Sequence, residues 1–359
     1  MSTPLLSLRR CSGGTLAARA ARQTWPKRSG LLLELVAGSH RGLGEASPLP
    51  GYSSDTLEEA EGALATLDRH ALALALEQEH PLEALAAAAK LVPAGQSAAR
   101  MALETAVLDL RGRQCGQSAP QLLAAEPGAE RSLAWLAGVV VAGQEQATLL
   151  ASIRGAVRAG YTHFKLKLGA TGKLREELTV VHGLCGALGG AVRLRLDANQ
   201  AWSEADARAA CRALEGLDIE FIEEPCRAPS RLLATGIPIA LDESLRDRNP
   251  QDLATLARRA SACVVILKPM VHGGLTRCLA MARQAHALGL GVVISHSFDG
   301  PVALIAAAAL ALALPTRMAQ GLAPHGGLAA WPEVPLPILG GKLRDWSSPG
   351  LGSATELFP

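Results

Sequence analysis

No stretch of this 359-residue chain reaches the roughly 18 uninterrupted apolar residues that a membrane-spanning helix needs. The longest candidate, Val302–Leu314, stops at 13, is mostly Ala and Leu, and reads as a buried helix. The seven cysteines are odd in number and include no CxxC pair, which speaks against a disulfide or zinc framework and suits reduced thiols in a cytoplasmic enzyme. A net charge of only +2, with basic residues scattered, gives no case for nucleic acid. No GxGxxG loop follows a first strand, so a dinucleotide-binding fold is disfavoured. Acids are missing from the first 33 residues, which hold six basic ones. Transit peptides share that composition, but here it reads as a strand at Leu5–Leu8 and an irregular loop. What is abundant is apolar side chain, 49% against 19% charged, the balance of a well-buried globular protein.

The first 115 or so residues read as α+β, with a strand at Leu31–Val36, turn formers over Gly42–Pro50, and helical stretches near 56–71, 81–91 and 97–112, punctuated by Pro81 and Pro93. From about residue 132 short apolar runs alternate with helical patterns. The runs lie near 133–140, 161–168, 192–197, 218–223, 237–242, 263–268 and 291–295, with one more near 317–322. Helices fall between them near 145–159, 173–188, 203–215, 249–260 and 274–288. Such alternation predicts parallel strands with right-handed crossovers, and the count favours a (β/α)7β TIM-like barrel. The expected division is an α+β capping domain over 1–115, the barrel over 116–325, and a proline-rich segment, 326–359, packing back on the cap.

Charged residues then recur at the C-terminal ends of the apolar runs: Lys167, Asp197, Glu223, Asp242 and Lys268, separated by 30, 26, 19 and 26 residues. In a β/α barrel all such ends meet at one mouth, where active sites lie. Lys165 and Lys167, two apart, share a strand face, with Phe164, Leu166 and Leu168 on the other. Taken singly, an acid at a strand end is more often a helix cap, and a lone KxK an exposed strand. Three clustered carboxylates, however, would repel one another and raise each other's pKa unless a cation intervened. All-oxygen ligation with no histidine favours Mg²⁺, with Mn²⁺ as a substitute, over zinc or copper. Two amines across such a cation suit removal of a proton from carbon next to a carboxylate.

Lys165-Leu166-Lys167, Asp197-Ala198-Asn199, Glu223-Glu224-Pro225, Asp242-Glu243-Ser244 and Lys268-Pro269 together resemble the muconate-lactonising branch of the enolase superfamily, whose sites pair a lysine or histidine base with Mg²⁺. The stretches Gly44–Gly51, Leu194–Trp202 and Leu241–Arg246 are most similar to the o-succinylbenzoate synthase family of the proteobacterial kind. The resemblance implies a carbon–oxygen lyase of menaquinone biosynthesis. It would remove water from 2-succinyl-6-hydroxy-2,4-cyclohexadiene-1-carboxylate to give 2-succinylbenzoate. It further implies Lys167 as the base, Lys268 as stabiliser of the anionic intermediate, Lys165 as orienter of the carboxylate, and Asp197, Glu223 and Asp242 as metal ligands. Ser295 would touch substrate, as would Asn199 and Arg195 of the Leu194–Trp202 stretch.

The chain departs from the family pattern at His296, Phe298 and Asp299, where serines and a glutamate are expected, and at Gln320–Gly326, which lacks acids. The loop Arg10–Arg28 is expected as a mobile flap over the mouth, whose arginines could meet the succinyl carboxylate but are more simply read as solvated. Rival readings on the same scaffold are an N-acylamino-acid racemase and a dipeptide epimerase; the latter would need an acid, such as Asp299, to pair its substrate's ammonium. A non-catalytic descendant would show a broken constellation, and every member is present. The expected partner is a small carboxylate, with no nucleic acid and no membrane. Nothing in the sequence sets the oligomeric state, and a monomer is compatible with it.

Overall fold

The structure, a computed structural model, describes residues 3–15, 23–124, 126–140, 146–232, 235–327, 331 and 336–353. The chain opens with an antiparallel sheet of β1 (Leu5–Gly14), β2 (Lys27–Ala37) and β3 (His40–Ala46). Leu31, Leu32, Leu33 and Leu35 are fully buried in its central strand. Helices α1 (Leu57–Ala65), α2 (Arg69–Leu76), α3 (Pro81–Ala89), α4 (Ser97–Cys115) and α5 (Ala119–Leu123) follow. Gly44 is required where β3 crosses α4, since a Cβ there would lie 1.9 Å from the Ala102 carbonyl oxygen.

Two expectations for this region need correcting. The stretch 56–71 is two helices, because Asp68 takes a capping position and accepts from the N–H groups of His70 and Ala71. Nor is Arg10–Arg28 a loop throughout: β1 runs on to Gly14 and pairs with β2 back to Lys27, while residues 16–22 lie outside the described set. Arg10 pairs with Glu58 and Glu61, and Arg28 is 1% exposed.

A short strand β4 (Glu130–Ser132) leads into seven parallel strands: β5 (Ala134–Val139), β6 (His163–Lys167), β7 (Arg193–Asp197), β8 (Ile219–Glu223), β9 (Ile239–Leu241), β10 (Ala262–Leu267) and β11 (Gly291–Ile294), hydrogen-bonded in that order. Helices α6 (Gln146–Arg158), α7 (Leu174–Leu188), α8 (Glu204–Leu214), α9 (Leu253–Ala260), α10 (Pro269–His272), α11 (Leu275–Ala287) and α12 (Pro301–Ala313) lie between or after them. The expected eighth strand is reduced to two bridges, Leu133 to Gln320 and Ser295 to Gly321, which close the barrel. Strand alternation divides the apolar residues as the pleat requires. Phe164, Leu166, Leu196, Ile222 and Leu267 join the main core, whereas Phe221, Ala240, Val264, Ile266 and Val293 form a separate cluster within the barrel.

The tail returns to α4: Asp109 accepts from the Leu351 N–H and Arg113 donates to the Gly352 carbonyl. Strands β12 (Ile338–Leu339) and β13 (Lys342–Arg344) form a small sheet with β4.

Cap and barrel are tied by two buried polar side chains. Glu45, at the end of β3, accepts from the N–H groups of Gly300, Val302 and Ala303, so a cap carboxylate closes the start of α12. Arg28 donates to the carbonyls of Ser47, Pro48 and Phe298, joining the cap loop to the segment after β11.

Glu104, also fully buried, accepts from the backbone and hydroxyl of Thr276 at 2.8 and 2.7 Å, tying α4 to α11. Burial pushes its carboxyl up to about 7 against those bonds. Unfolded, it titrates near ~4.3. Between these values the folded state holds a proton that the unfolded chain has released, so stability drains away as pH rises from ~4.3 to about 7 and then levels. Glu104→Gln is therefore expected to melt progressively higher relative to the wild-type protein across that window, read by calorimetry in steps of pH. A difference that does not change with pH would show that Glu104 titrates normally.

Candidate active site

Every charge singled out at a strand end opens on one cavity of about 600 Å³ or supports its wall. Register explains the convergence. Lys165 lies opposite Arg195, Lys167 opposite Asp197, and Asp197 opposite Glu223, and in parallel strands residues in register point to the same side. The Lys165 amine bridges two strands, 2.8 Å from both Asp197 Oδ2 and Glu223 Oε1. Lys167 Nζ is 3.0 Å from Asp197 Oδ2 and 3.0 Å from Asn199 Oδ1. Lys268 pairs with Asp242 and donates to the Tyr52 hydroxyl at 2.7 Å. Tyr52 in turn donates to the Asp242 carboxylate.

Asp197, Glu223 and Asp242 are 1–2% exposed. Burial alone would raise all three, but the amines of Lys165 and Lys167 hold Asp197 below its ordinary range, and Lys268 does the same for Asp242. Burial and repulsion from Asp197 push Glu223 up to about 7, and burial with Asp242 pushes Glu243 up to about 8. Burial pulls Lys165 down, and the neighbouring carboxylates Asp197 and Glu223 more than reverse it. Four carboxyl groups thus share a space in which two are held ionised and two are driven toward their neutral form. Among the described residues, no three of His, Cys, Asp or Glu stand close enough as they lie to enclose a metal, because the acids are drawn onto the amines. The donor set nonetheless fits Mg²⁺: it is all oxygen, Asp197, Glu223 and Asp242 lie at successive strand ends, and buried Glu243 Oε2 has no partner.

The loops behind the acids are held by Glu224, which was not assigned a role from sequence. It accepts from the N–H groups of Asp242 and Ser244, the Ser244 hydroxyl and the Gln200 amide, locking three strand ends together. Asn199, Gln200 and Glu224 all adopt positive φ (44°, 58° and 38°), a strain that tends to gather at functional sites. Asn199 itself bridges Lys167 and Glu243. Ser295 lines the cavity and donates to the Gly321 carbonyl at 3.2 Å. Arg195 also borders the cavity, but from its floor: Glu220 and the Ala319 carbonyl hold its guanidinium, which makes it a structural support and not a free substrate donor. Asp299 is fully buried behind the wall beside Ser297, not on it.

The cap supplies Gln23, Trp25, Leu49 and Tyr52 to the cavity. Gln23 and Trp25 fall within the stretch 10–28 expected over the mouth and Leu49 within Gly44–Gly51, whereas Tyr52 gains its role only by contact across the domain boundary, which no local pattern marks.

A family profile described as "Enolase C-terminal domain-like" matches residues 148–356, and one described as "MenC, N-terminal domain" matches residues 18–101. A protein named o-succinylbenzoate synthase from Klebsiella pneumoniae (strain 342) is 32% identical over 324 residues, covering 87% of this chain and 89% of the relative. The chain belongs to the o-succinylbenzoate synthase family of the enolase superfamily. An o-succinylbenzoate synthase from Yersinia pseudotuberculosis (serotype I, strain IP32953) is 30% identical over 88% of this chain and 90% of its own length. Among solved structures, a muconate lactonizing enzyme from Pseudomonas fluorescens superposes with a TM-score of 0.81 at 26% identity, covering 97% of this chain and 95% of that one. An L-Ala-D/L-Glu epimerase from Bacillus subtilis shares the fold at TM-score 0.82 and 23% identity, covering 98% of each chain. The two profiles and the structural match to the muconate lactonizing enzyme thus take in both the N-terminal region and the barrel. Among the described residues, no helix is long and apolar enough to cross a membrane.

Proposed function

We propose that this protein dehydrates 2-succinyl-6-hydroxy-2,4-cyclohexadiene-1-carboxylate to 2-succinylbenzoate, a step of menaquinone biosynthesis. The observation that carries the reading is the cavity itself, in which Lys165, Lys167 and Lys268 meet Asp197, Glu223 and Asp242 at the C-terminal ends of the strands. Asp197, Glu223 and Asp242 would hold Mg²⁺, which supplies charge stabilisation to a carboxylate whose α-carbon is losing a proton. Lys165 orients and neutralises that carboxylate. Lys167, as free amine, takes the proton from the α-carbon; Asn199 and Asp197 fix its position. Lys268, steadied by Tyr52 and Asp242, sets a positive charge against the anionic intermediate. The Lys167 ammonium then returns the proton to the departing hydroxyl on the same face. One C–H and one C–O bond break, a ring double bond forms, and water leaves. Because the product ring is aromatic, the amine need only lower the cost of forming the anion.

Racemisation of an N-acylamino acid uses the same two amines and is the second reading. A dipeptide epimerase is disfavoured, since the acid that might have met an ammonium, Asp299, is buried outside the cavity. The test is an ultraviolet assay for the aromatic product. Turnover is expected with Mg²⁺ and is expected to vanish with chelator. Silence with Mg²⁺ present, alongside racemisation of an N-acylamino acid, would move the chain to the second reading.

A further inference from the structure

At the far wall of the cavity two histidines lie face to face. The rings of His296 and His325 are stacked, with centroids 4.2 Å apart and planes at 27°. Phe298 meets both edge-on, at 6.1 and 5.5 Å, and the cap's Trp25 backs Phe298 at 5.7 Å. Each imidazole makes the same local bond. The Phe298 N–H donates to His296 Nδ1 at 3.0 Å, and the Gly327 N–H donates to His325 Nδ1 at 3.1 Å. A backbone N–H can only donate, so both Nδ1 atoms present a lone pair and both ring protons must sit on Nε2.

The backbone is shaped to enforce this. Phe298 is held at φ 55°, a left-handed conformation rarely adopted by an aromatic residue. Its carbonyl is gripped by Arg28. A Cβ at Gly327 would come within 2.9 Å of His325 Nδ1, so only glycine allows that approach. The result is two Nε2–H groups on rings that line the cavity; His325 Nε2 is buried and makes no hydrogen bond of good geometry within the protein, though the Asp299 backbone lies close enough to favour its protonated form slightly. Burial also lowers both imidazoles, His325 to about 3 and His296 well below its ordinary value, with each other's charge and the lysines adding to the effect on His296. Both shifts favour the neutral ring, which donates through Nε2.

We propose that His296 and His325 form a paired-donor subsite that binds an acceptor oxygen on the acyl tail of the substrate, and that this pair turns away a tail carrying an ammonium. The inference rests on the dehydratase reading for the identity of the tail, a succinyl group bearing a ketone and a terminal carboxylate. The donors themselves are independent of that reading. A neutral N–H pair can satisfy a ketone or a carboxylate, but it offers an ammonium nothing to donate to. The stacked rings and Phe298 give the methylenes of such a tail an apolar bed.

Calorimetric titration with Mg²⁺ present would compare 2-succinylbenzoate, 2-butanoylbenzoate (ketone kept, terminal carboxylate lost) and benzoate. For His325→Phe, which keeps a ring but no donor, binding of 2-succinylbenzoate is expected to weaken about tenfold or more, with benzoate unchanged. His325→Gln, which restores an N–H, should recover most of the loss. If 2-butanoylbenzoate loses as much as 2-succinylbenzoate, the bonded oxygen is the ketone; if it loses nothing, the oxygen belongs to the carboxylate. Equal weakening of 2-succinylbenzoate and benzoate, or no weakening of either, would overturn the subsite. Should His325→Phe fail to fold, His296→Phe carries the same comparison.

Nitrogen-15 NMR of the histidine rings gives a readout free of ligand: both are expected as the Nε2–H tautomer at pH 7, and an imidazolium or an Nδ1–H form would equally sink the idea. If wild-type protein ignores 2-succinylbenzoate yet binds an N-succinylamino acid more tightly than His325→Phe does, the dehydratase reading falls and the donor pair stands. If that ligand is indifferent to the substitution too, the pair falls with it.

Discussion

Lys167→Ala is expected to reduce formation of the aromatic product by about 10²- to 10⁴-fold, the range that a positioned acid–base group contributes. The protein should remain folded. Asp197, the carboxylate from which the substitution removes one amine, keeps the Lys165 amine at 2.8 Å, so no buried charge is stranded. The cavity merely widens where the Lys167 side chain now lines it. Circular dichroism and melting temperature should therefore match wild type while the ultraviolet signal is lost. Near-native turnover would take the proton-transfer role away from Lys167 and point to Lys165 or Lys268.

Glu223→Gln carries the second large effect, on metal binding. If Asp197, Glu223 and Asp242 hold the cation, Mg²⁺ at 100 times its Kd should stabilise the wild-type protein by about 2.7 kcal/mol. The variant, with a neutral amide in the middle of the trio, should show little or no rise in melting temperature over the same titration. Its turnover should fall about 10³-fold or further, since several kcal/mol of charge stabilisation are withdrawn and each 1.36 kcal/mol is tenfold in rate. Lys165 retains Asp197, so the metal-free fold should survive. A melting response to Mg²⁺ as large as that of the wild type would show that the cation binds elsewhere.

How much of this was legible depended on whether a residue's role is set along the strand or across the domain boundary. Lys167, Asp197, Glu223, Asp242 and Lys268 could be found because a parallel barrel places every strand end at one mouth, and the apolar run before each residue marks that end. Lys165 and Lys167 could be aimed inward because Phe164, Leu166 and Leu168 occupy the opposite face, and all three are fully buried in the main core.

The cap was less legible. Cys11-Ser12-Gly13-Gly14 looks like turn sequence, yet it continues β1 because Lys27–Gly30, some 13–19 residues on, pairs with it. Tyr52 has no local signature at all. Asp68 was a signal available and missed, since a capping aspartate before Arg69–Leu76 breaks the single helix read over 56–71. The eighth strand was placed in the right segment, but Gln320 and Gly321 contribute one bridge each where a full strand was expected. The two histidines were noticed only as departures, because stacking between residues 296 and 325 is invisible in sequence.

The ties through Arg28 and Glu45 have a bearing on recombining relatives. These residues belong to the first domain, yet what they hold is the Phe298 carbonyl and the first turn of α12, both in the second. A chimaera that joined this barrel to a foreign cap would leave the α12 amides uncapped and the Phe298 bend unsupported, and with it the wall that faces the substrate's tail. The transplantable unit is therefore not a domain. It is a cap carrying positions 28 and 45 together with the segment 296–303, exchanged as one block.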